Sequence, residues 1–413
     1  MCQGQSSLET TTSNREFCFP KTLAMKNLAV QYLEYAPRDV TPAKVRKCLS
    51  EAFEFLPISI VILGWDLPAR LEEAVAKETA RHKVTLYRWH PLLASDAGFA
   101  LPVEWRPINL RDEPVAGFKG LPEFTFICPN HTAVQEWIAE RIEVAVQRGI
   151  YQGLFFDRMR FPSPAENPER HLGCFCKYCQ RMASDSGLDL DSVRRQIEPL
   201  LTDVDRAKAF TQSIFTSTED SLLESFFTFR FNSITRIIHH AANLARSHRL
   251  NIGLDCFSPS LTRMVGQDLS ALNKSCDWIK LMTYPRVFGP AGLPFELNAL
   301  SRWMSTRYNV EETEAVKIVS EASSLSFAKD GLESESILHE IQHGRNAGIT
   351  NLFAGIAMVE VEGVHMPRLE QIRSDVAVCE DADGLVISWD LWHINTEYLR
   401  LIKEIWGTEC FRK

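Results

Sequence analysis

The chain has 413 residues, of which 45% are hydrophobic and 10% aromatic, and its formal net charge at pH 7 is -8. This composition is typical of a globular protein and excludes a disordered or fibrous chain. The acidic charge argues against a general nucleic-acid binder, which needs a surplus of Lys and Arg to displace counterions from phosphate.

No apolar run approaches the roughly 18 residues that span a bilayer. Residues 1–21 also lack the uninterrupted apolar segment of a signal peptide. We therefore expect a cytoplasmic protein with no membrane partner. Residues 1–24 are rich in Ser, Thr, Gln and Glu without periodicity, which predicts a flexible extension, and Met25 is an alternative start. Residues 25–413 are predicted to form a single folded unit.

Strand-like apolar runs alternate with amphipathic helical segments through this unit. The predicted strands are 28–34, 58–63, 84–89, 153–157, 251–257, 278–284, 351–358 and 384–390. A helix is predicted to begin at Thr41-Pro42, a capping residue followed by proline in the first turn. The Glu/Lys/Glu spacing of residues 314–322 favours a helix over a competing strand.

Eight strands alternating with helices predict an α/β protein with the (β/α)8 TIM-barrel fold. Such a barrel typically needs about 250 residues. The surplus predicts long loop insertions after strands 3, 4 and 6, with a Cys-rich helical insertion at about 163–216. In this fold the functional side chains are provided by the C-terminal ends of the strands.

The fourth strand gives the strongest signal for a functional site. The run Gly153-Leu-Phe-Phe-Asp157-Arg-Met-Arg160-Phe-Pro162 is apolar until it ends in a carboxylate and two arginines. Because the strand body is buried and the following loop opens to solvent, Asp157 is predicted to face a cleft. The alternative is an ion pair of Asp157 with Arg158 or Arg160 at the barrel mouth.

The other strand ends supply more carboxylates and aromatic side chains. These candidates are Glu34, Trp65, Asp66, Trp89, His90, Asp255, Tyr284, Glu360, Glu362, Trp389, Asp390, Trp392 and His393. This combination suits sugars, whose ring faces stack on aromatic side chains and whose glycosidic bonds are cleaved between two carboxyl groups. Asp255 and Asp390 could instead cap the following helices, and the tryptophans could belong to the core.

A family resemblance adds to this interpretation. It rests on residues 153–162, 174–179, 277–285 and 384–392, which together resemble TIM-barrel glycoside hydrolases of the family-10-like type. The resemblance implies catalytic carboxylates after strands 4 and 7, which here are Asp157 and Glu360, with Glu362 as a competitor of Glu360. The common pattern after strand 4 is Asn-Glu, whereas this chain has Phe156-Asp157.

The predicted function is therefore a glycoside hydrolase acting on a carbohydrate substrate without an organic cofactor. The predicted substrate-binding residues are Trp65, His90, Arg160, Asp255, Tyr284, Glu362, Asp390 and Trp392. Arg160 is expected to hold Asp157 ionised through a charge-assisted hydrogen bond, which leaves Glu360 as the proton donor. A non-catalytic sugar-binding barrel, or a barrel lyase or isomerase, stays open as an alternative.

A cysteine cluster follows the fourth strand. Cys174, Cys176, Cys179 and His171 lie within nine residues in a chain with 11 cysteines. Three such thiolates can bind one zinc ion, and Cys128 is the expected fourth ligand with His171 as the alternative. The arrangement resembles the zinc site of family-42 β-galactosidases. Four protein ligands would make the zinc structural, and the alternative is a set of buried reduced thiols.

Overall fold

The structure is a computed structural model, and it describes residues 27–34, 39–64, 67–95 and 100–406. The predictions made for residues 1–24, for the alternative start at Met25 and for Trp65 and Asp66 lie outside the described residues.

The strands form one closed barrel in which every strand runs parallel to its two neighbours and β8 pairs with β1. The strands are β1 (Asn27–Tyr32), β2 (Ile58–Leu63), β3 (Thr85–Pro91), β4 (Gly153–Asp157), β5 (Asn251–Cys256), β6 (Trp278–Leu281), β7 (Leu352–Ala357) and β8 (Gly384–Ser388). Each coincides with a predicted strand to within three residues at either end. The predicted α/β class and TIM-barrel fold are therefore confirmed.

The α-helices of the described residues alternate with these strands. They are α1 (Pro42–Phe55), α2 (Ala69–His82), α3 (Thr132–Gln147), α4 (Pro168–His171), α5 (Lys177–Ser184), α6 (Leu190–Leu200), α7 (Val204–Phe215), α8 (Ser221–Ser247), α9 (Thr262–Val265), α10 (Leu269–Asn273), α11 (Leu293–Tyr308), α12 (Glu312–Ser323), α13 (Glu335–Asn346), α14 (Leu369–Ala377) and α15 (Thr396–Trp406). The Thr41 side chain accepts a hydrogen bond from the Lys44 amide at 3.3 Å, which confirms the predicted helix start. The competing segment 314–322 lies within α12 and is a helix, as predicted.

Alternation along the strands separates the barrel interior from the layer beneath the helices. The side chains packed together inside the barrel are Ala29, Ile62, Tyr87, Trp89, Phe155, Trp278, Phe353 and Val386. Two residues further along three of these strands, the same inward face carries the polar side chains of Gln31, Asp157 and Lys280. Asp255 holds the equivalent position on β5, two residues beyond Gly253, which faces Phe155 and Trp278 inside the barrel. The period of two therefore places an apolar floor beneath a polar layer at the C-terminal end of the barrel.

Helices α4 to α7 lie in the connection between β4 and α8, within the segment where the Cys-rich insertion was predicted. The division of the chain into an extension, a barrel and an insertion stays a prediction. Among the described residues, no helix combines the length and the apolar character needed to cross a membrane.

Candidate functional site

Asp157 is the last residue of β4 and lies at the barrel mouth with 7% of its surface exposed. Its Oδ2 accepts a hydrogen bond from the Trp89 indole nitrogen at 2.9 Å, and its Oδ1 accepts one from the Arg158 amide at 2.5 Å. Both donors stabilise the negative charge of the carboxylate. The local geometry therefore gives each oxygen of the Asp157 carboxylate a hydrogen-bond donor.

Arg160 was expected to form the hydrogen bond that holds Asp157 ionised, and the structure corrects this. Its guanidinium lies 4.2 Å from the ring centre of Phe126 and 4.4 Å from that of Phe257, and its Nη1 donates to the Phe161 carbonyl at 3.2 Å. These contacts direct the side chain into an aromatic cage, so its effect on Asp157 is electrostatic. Burial lowers the pKa of Arg160 to about 10.

Glu34 follows β1, and its carboxyl group interacts electrostatically with Asp157. Its Oε1 is 3.8 Å from Nη2 of Arg158, and 30% of its side chain is exposed. Burial raises the pKa of Glu34 to about 7; Arg158 opposes this effect, and the charges of Asp390 and Asp157 add to it. Since β1 and β4 lie nearly opposite each other in a ring of eight strands, two carboxyl groups with different surroundings face the same mouth.

Asp255 and Lys280 form a buried ion pair in the same polar layer. They are directly paired in the register of β5 and β6, and Asp255 Oδ2 lies 3.0 Å from Lys280 Nζ. Lys280 also donates to Gln31 Oε1 at 3.3 Å. A Cβ on Gly355 would lie 2.5 Å from Lys280 Cε, so glycine leaves the room that the lysine stem occupies. Asp255 Oδ1 and the Tyr284 hydroxyl have no hydrogen-bond partner among the described residues.

The pKa values of both members of this pair are raised above those of free side chains. Burial raises the pKa of Asp255 to about 7, although the charge of Lys280 opposes this. Burial lowers the pKa of Lys280, but the charge of Asp255 and its hydrogen bond with the ammonium group outweigh burial, so that pKa is raised. Sequence interpretation missed Lys280, although a lone lysine at an inward position of an apolar strand is a readable signal.

Asp390 and Trp392 lie where β8 meets β1. Asp390 Oδ1 accepts hydrogen bonds from the Leu33 amide at 2.8 Å and the Trp392 amide at 3.0 Å. The carboxylate therefore caps the short turn after β8 and fastens it to the end of β1. Trp392 itself is half-buried. Their roles toward a substrate stay predictions.

Glu360 and Glu362 are both exposed, in the segment after β7. Glu360 Oε1 lies 2.7 Å from the Tyr398 hydroxyl, which is also 2.8 Å from the Pro367 carbonyl. The described contacts of Glu360 thus connect it to α15 and not to the polar layer of the barrel. Its catalytic role stays a prediction.

His90 is fully buried, and neither ring nitrogen has a hydrogen-bond partner among the described residues. Its ring lies 5.9 Å from that of Phe156, on the outer side of β3, because the preceding Trp89 points into the barrel. Burial holds the pKa of His90 well below its usual value. The structure does not bring His90 together with the interior carboxylates.

A cavity of about 200 Å³ opens beside Arg160 and contains a carboxylate that sequence interpretation missed. Its aromatic walls are Phe118, Phe124, Phe126 and Phe295. Glu296 of α11 is 1% exposed and accepts hydrogen bonds from the Ser163 hydroxyl at 2.5 Å and the Ala291 amide at 2.9 Å. Burial raises the pKa of Glu296. Aromatic walls with a few fixed polar groups are typical of a ligand pocket.

The four cysteines expected to bind metal converge. Their sulfur atoms all lie within 4.8 Å of one another, with Cys128 3.7 Å from Cys176 and 3.4 Å from Cys179. Tetrahedral zinc with bonds of about 2.3 Å separates its sulfur ligands by about 3.8 Å. The four cysteines could therefore hold a metal ion. His171, the alternative ligand, lines the cavity beside Arg160 instead.

Hydrogen-bond donors surround these sulfurs. Cys174 Sγ accepts from the Ile108 amide at 3.4 Å and the Cys176 amide at 3.5 Å, and Cys179 Sγ accepts from the Asn130 side chain at 3.2 Å. Donors directed at sulfur fit thiolates, which are the form that binds metal. The donor set is therefore chemically consistent with a metal centre.

A second group of metal-ligand type was missing from the predicted site, although its H-E-x-x-H spacing is readable in the sequence. His339, Glu340 and His343 of α13 have ligand atoms within 4.8 Å of one another. Glu340 is fully buried and accepts hydrogen bonds from the Ser260 amide at 2.9 Å and the Ser260 hydroxyl at 2.5 Å. Its carboxylate is therefore engaged in holding the loop after β5.

No family model matches this sequence, and no curated protein matches it. The cortex-lytic enzyme SleL of Bacillus megaterium is similar in structure at 9% identity, over 94% of this chain and 75% of that chain, with a TM-score of 0.47.

An α-L-fucosidase of Paenibacillus thiaminolyticus is 10% identical over 94% of this chain and 49% of that chain, with a TM-score of 0.48. Catalytic domain 2 of the group II chitinase of Ostrinia furnacalis is 10% identical over 94% of this chain and 97% of that chain, with a TM-score of 0.45. Similarities of this size do not identify the chemistry of this chain, which rests on its own residues. The family-10-like resemblance, and the resemblance of the cysteine cluster to family 42, stay predictions.

Proposed function

We propose that this protein is a glycoside hydrolase whose active site is the polar layer at the C-terminal end of the barrel. The observation that supports this most is the contrast between two carboxyl groups there. Asp157 accepts two hydrogen bonds that stabilise its charge, whereas burial raises the pKa of Glu34 to about 7. Glycosidases need one ionised and one protonated carboxyl group at the same bond.

In this proposal Asp157 is the ionised carboxylate that attacks or activates water. Glu34 is the proton donor that the geometry favours, because Arg158 connects it to the end of β4 at 3.8 Å. Glu360, proposed from the family resemblance, is the competing proton donor. Its contact with Tyr398 places it near α15, so its participation requires the segment after β7 to lie over the mouth in the complex.

The aromatic cavity beside Arg160 is proposed to hold a sugar ring of the substrate. Its phenylalanine walls offer faces for stacking, and Glu296 and Arg160 offer polar groups for hydroxyls. Asp255, Lys280 and Tyr284 are proposed to form the polar floor of the neighbouring position. Asp255 Oδ1 and the Tyr284 hydroxyl are buried without a partner among the described residues and are available to a hydroxylated ligand.

The cysteine cluster is proposed to bind structural zinc. Cys128, Cys174, Cys176 and Cys179 would supply all four ligands, so no coordination position stays open for substrate. The proposed hydrolysis therefore uses carboxyl groups alone.

The test is hydrolysis of a panel of aryl glycosides by the wild-type protein and by Asp157→Asn. We expect the variant to lose about 10²- to 10⁴-fold in kcat/KM with a nearly unchanged melting temperature, because the amide keeps the shape but cannot act as nucleophile or base. Asp277→Asn is the matched control, since Asp277 precedes β6 at the opposite end of the barrel.

Full activity of Asp157→Asn, or equal losses in both variants, would contradict the assignment of Asp157. A wild-type protein that hydrolyses nothing on the panel, yet binds oligosaccharides in calorimetry, would support the alternative of a sugar-binding barrel. Failure of both hydrolysis and binding would overturn the carbohydrate proposal as a whole.

A further inference from the structure

Arg230, in the middle of α8, is a buried cation without a hydrogen-bond partner. Its exposed fraction is 0%, and Nε, Nη1 and Nη2 all lack partners among the described residues. Its guanidinium lies 5.0, 5.8 and 6.0 Å from the ring centres of Phe161, Phe226 and Phe227. Aromatic faces compensate only part of the solvation that a buried guanidinium loses. Since arginine keeps its proton in proteins, the charge requires a negative partner.

The cysteine cluster lies beside this part of α8, because Asn130 donates both to Cys179 Sγ at 3.2 Å and to the hydroxyl of Ser233, three residues beyond Arg230, at 3.0 Å. Negative charge on Cys174 and Cys179 would stabilise the guanidinium, whereas nearby Arg263 acts in the opposite sense. Neutral thiols would leave the positive charge of Arg230 without a counter-charge. Thiolates bound to a metal would balance that charge, because four thiolates and one divalent cation together carry two negative charges.

The hydrogen bonds around the cluster also favour thiolates over neutral thiols. Cys174 and Cys179 accept hydrogen bonds from nitrogen donors, as described above. Two described cysteines outside the cluster behave in the opposite way. The Cys276 thiol lies 3.5 Å from the Leu272 carbonyl, and the Cys379 thiol lies 3.0 Å from the Asp375 carbonyl, so both are placed to donate.

We propose that Arg230 is the counter-charge of a divalent metal bound by the four cysteines, and that it makes the fold depend on the metal. This inference rests on the proposed metal site and is independent of the proposed hydrolysis. The ring of Phe161 packs against Arg230 and directly follows Arg160, so the same contact connects the metal centre to the loop after β4.

We expect the effect of Arg230→Met on the melting temperature to reverse when the metal is removed. Loaded with zinc, Arg230→Met should melt at a lower temperature than the wild type, because the dianionic centre loses its buried cation. Stripped of metal by a chelator under reducing conditions, Arg230→Met should melt at a higher temperature than the stripped wild type, because the variant no longer buries an unpaired charge.

Metal affinity gives a second readout. Competition with a chromophoric chelator should show about 10- to 100-fold weaker zinc binding by Arg230→Met, the usual loss when an outer-shell partner is removed. Arg195→Met is the matched control: it removes the same charge from an exposed side chain of α6 that pairs with Asp189 at 3.5 Å. Arg230→Lys keeps the charge and should stay within a few-fold of wild-type affinity. Cobalt substitution should give thiolate-to-metal absorption in the wild type.

The possible outcomes separate the two proposals. A wild-type protein that binds neither zinc nor cobalt overturns the metal site itself. The role of Arg230 alone is overturned by a different set of results. In that case the wild type binds metal, Arg230→Met matches Arg195→Met in zinc affinity, and Arg230→Met shifts the melting temperature equally with and without metal. If Arg230→Met does not fold, Arg230→Gln compared with Arg230→Lys decides the same question through affinity.

Discussion

Replacing Lys280 by methionine isolates the buried ion pair at the centre of the barrel. The substitution removes the ammonium group that lies 3.0 Å from Asp255 Oδ2, while the other carboxylate oxygen already lacks a partner among the described residues. At pH 9, where Asp255 is ionised in the wild type, breaking such a pair should lower the free energy of unfolding by about 3–5 kcal/mol.

At pH 6 the loss should be smaller. The pKa of Asp255 in the folded wild type is raised to about 7, so at pH 6 its carboxyl group is mostly protonated with or without Lys280. Only hydrogen bonds are then lost, at about 1–2 kcal/mol. The sign follows from linkage: a raised folded-state pKa stabilises at low pH, and this stability is lost as the pH rises through that pKa. Removing Lys280 raises the pKa of Asp255 further, so the difference between the proteins grows above about pH 7.

Asp255→Asn should show the opposite dependence. It leaves the Lys280 ammonium buried without a counter-charge, so burial now dominates and the pKa of Lys280 falls. A depressed lysine pKa destabilises the fold at low pH, and this penalty is relieved as the pH rises. We therefore expect Asp255→Asn to be more destabilising at pH 6 than at pH 9. At pH 9, Lys280→Met should be the more destabilising of the two variants.

Urea unfolding under reducing conditions, followed by tryptophan fluorescence at pH 6 and pH 9, measures both trends. Lys329→Met is the matched control, because its side chain is 79% exposed and pairs with Glu312 on the surface. It should change the free energy of unfolding by less than about 0.5 kcal/mol. If both core variants changed stability in the same direction with pH, or if Lys280→Met cost less than about 1 kcal/mol at pH 9, the buried pair would be refuted.

Three further substitutions test the surroundings of this pair. Trp89→Phe removes a donor to Asp157 worth about 1.5–3 kcal/mol, so kcat/KM on an aryl glycoside substrate should fall about 10- to 100-fold, and an unchanged value would contradict the role of the indole. Glu34→Gln should melt at a higher temperature than the wild type at pH 8 and at a similar temperature at pH 5. The reason is that the raised pKa of Glu34 lowers the stability of the wild type as the pH rises through about 7, and thermal scans at both pH values check this. Gly355→Ala places a Cβ 2.5 Å from Lys280 Cε and should cost about 1–3 kcal/mol in urea unfolding, whereas a stabilising effect would show that the site is less crowded than the structure indicates.

The sequence by itself determined the architecture. Strand and helix periodicities depend on backbone hydrogen bonding between near neighbours, so the β4 run ending at Asp157 and the helix beginning at Thr41 were readable without tertiary information. The fold then placed every strand end at one mouth, which made Asp157 and Asp255 predictable members of one layer. The metal-ligand spacing of Cys174, Cys176 and Cys179 was also readable from the sequence, because the three residues are close together in the chain.

Only the tertiary structure decided which charged groups meet. Glu34 and Arg158 are 124 positions apart in the chain, yet the closed barrel brings their side chains to 3.8 Å. Lys280 pairs with Asp255 because β5 and β6 are in direct register. Burial and the sum of surrounding charges set each group's protonation, and both depend on contacts between distant segments. Residue type and spacing identified the acids and bases, but the closed barrel determined their partners.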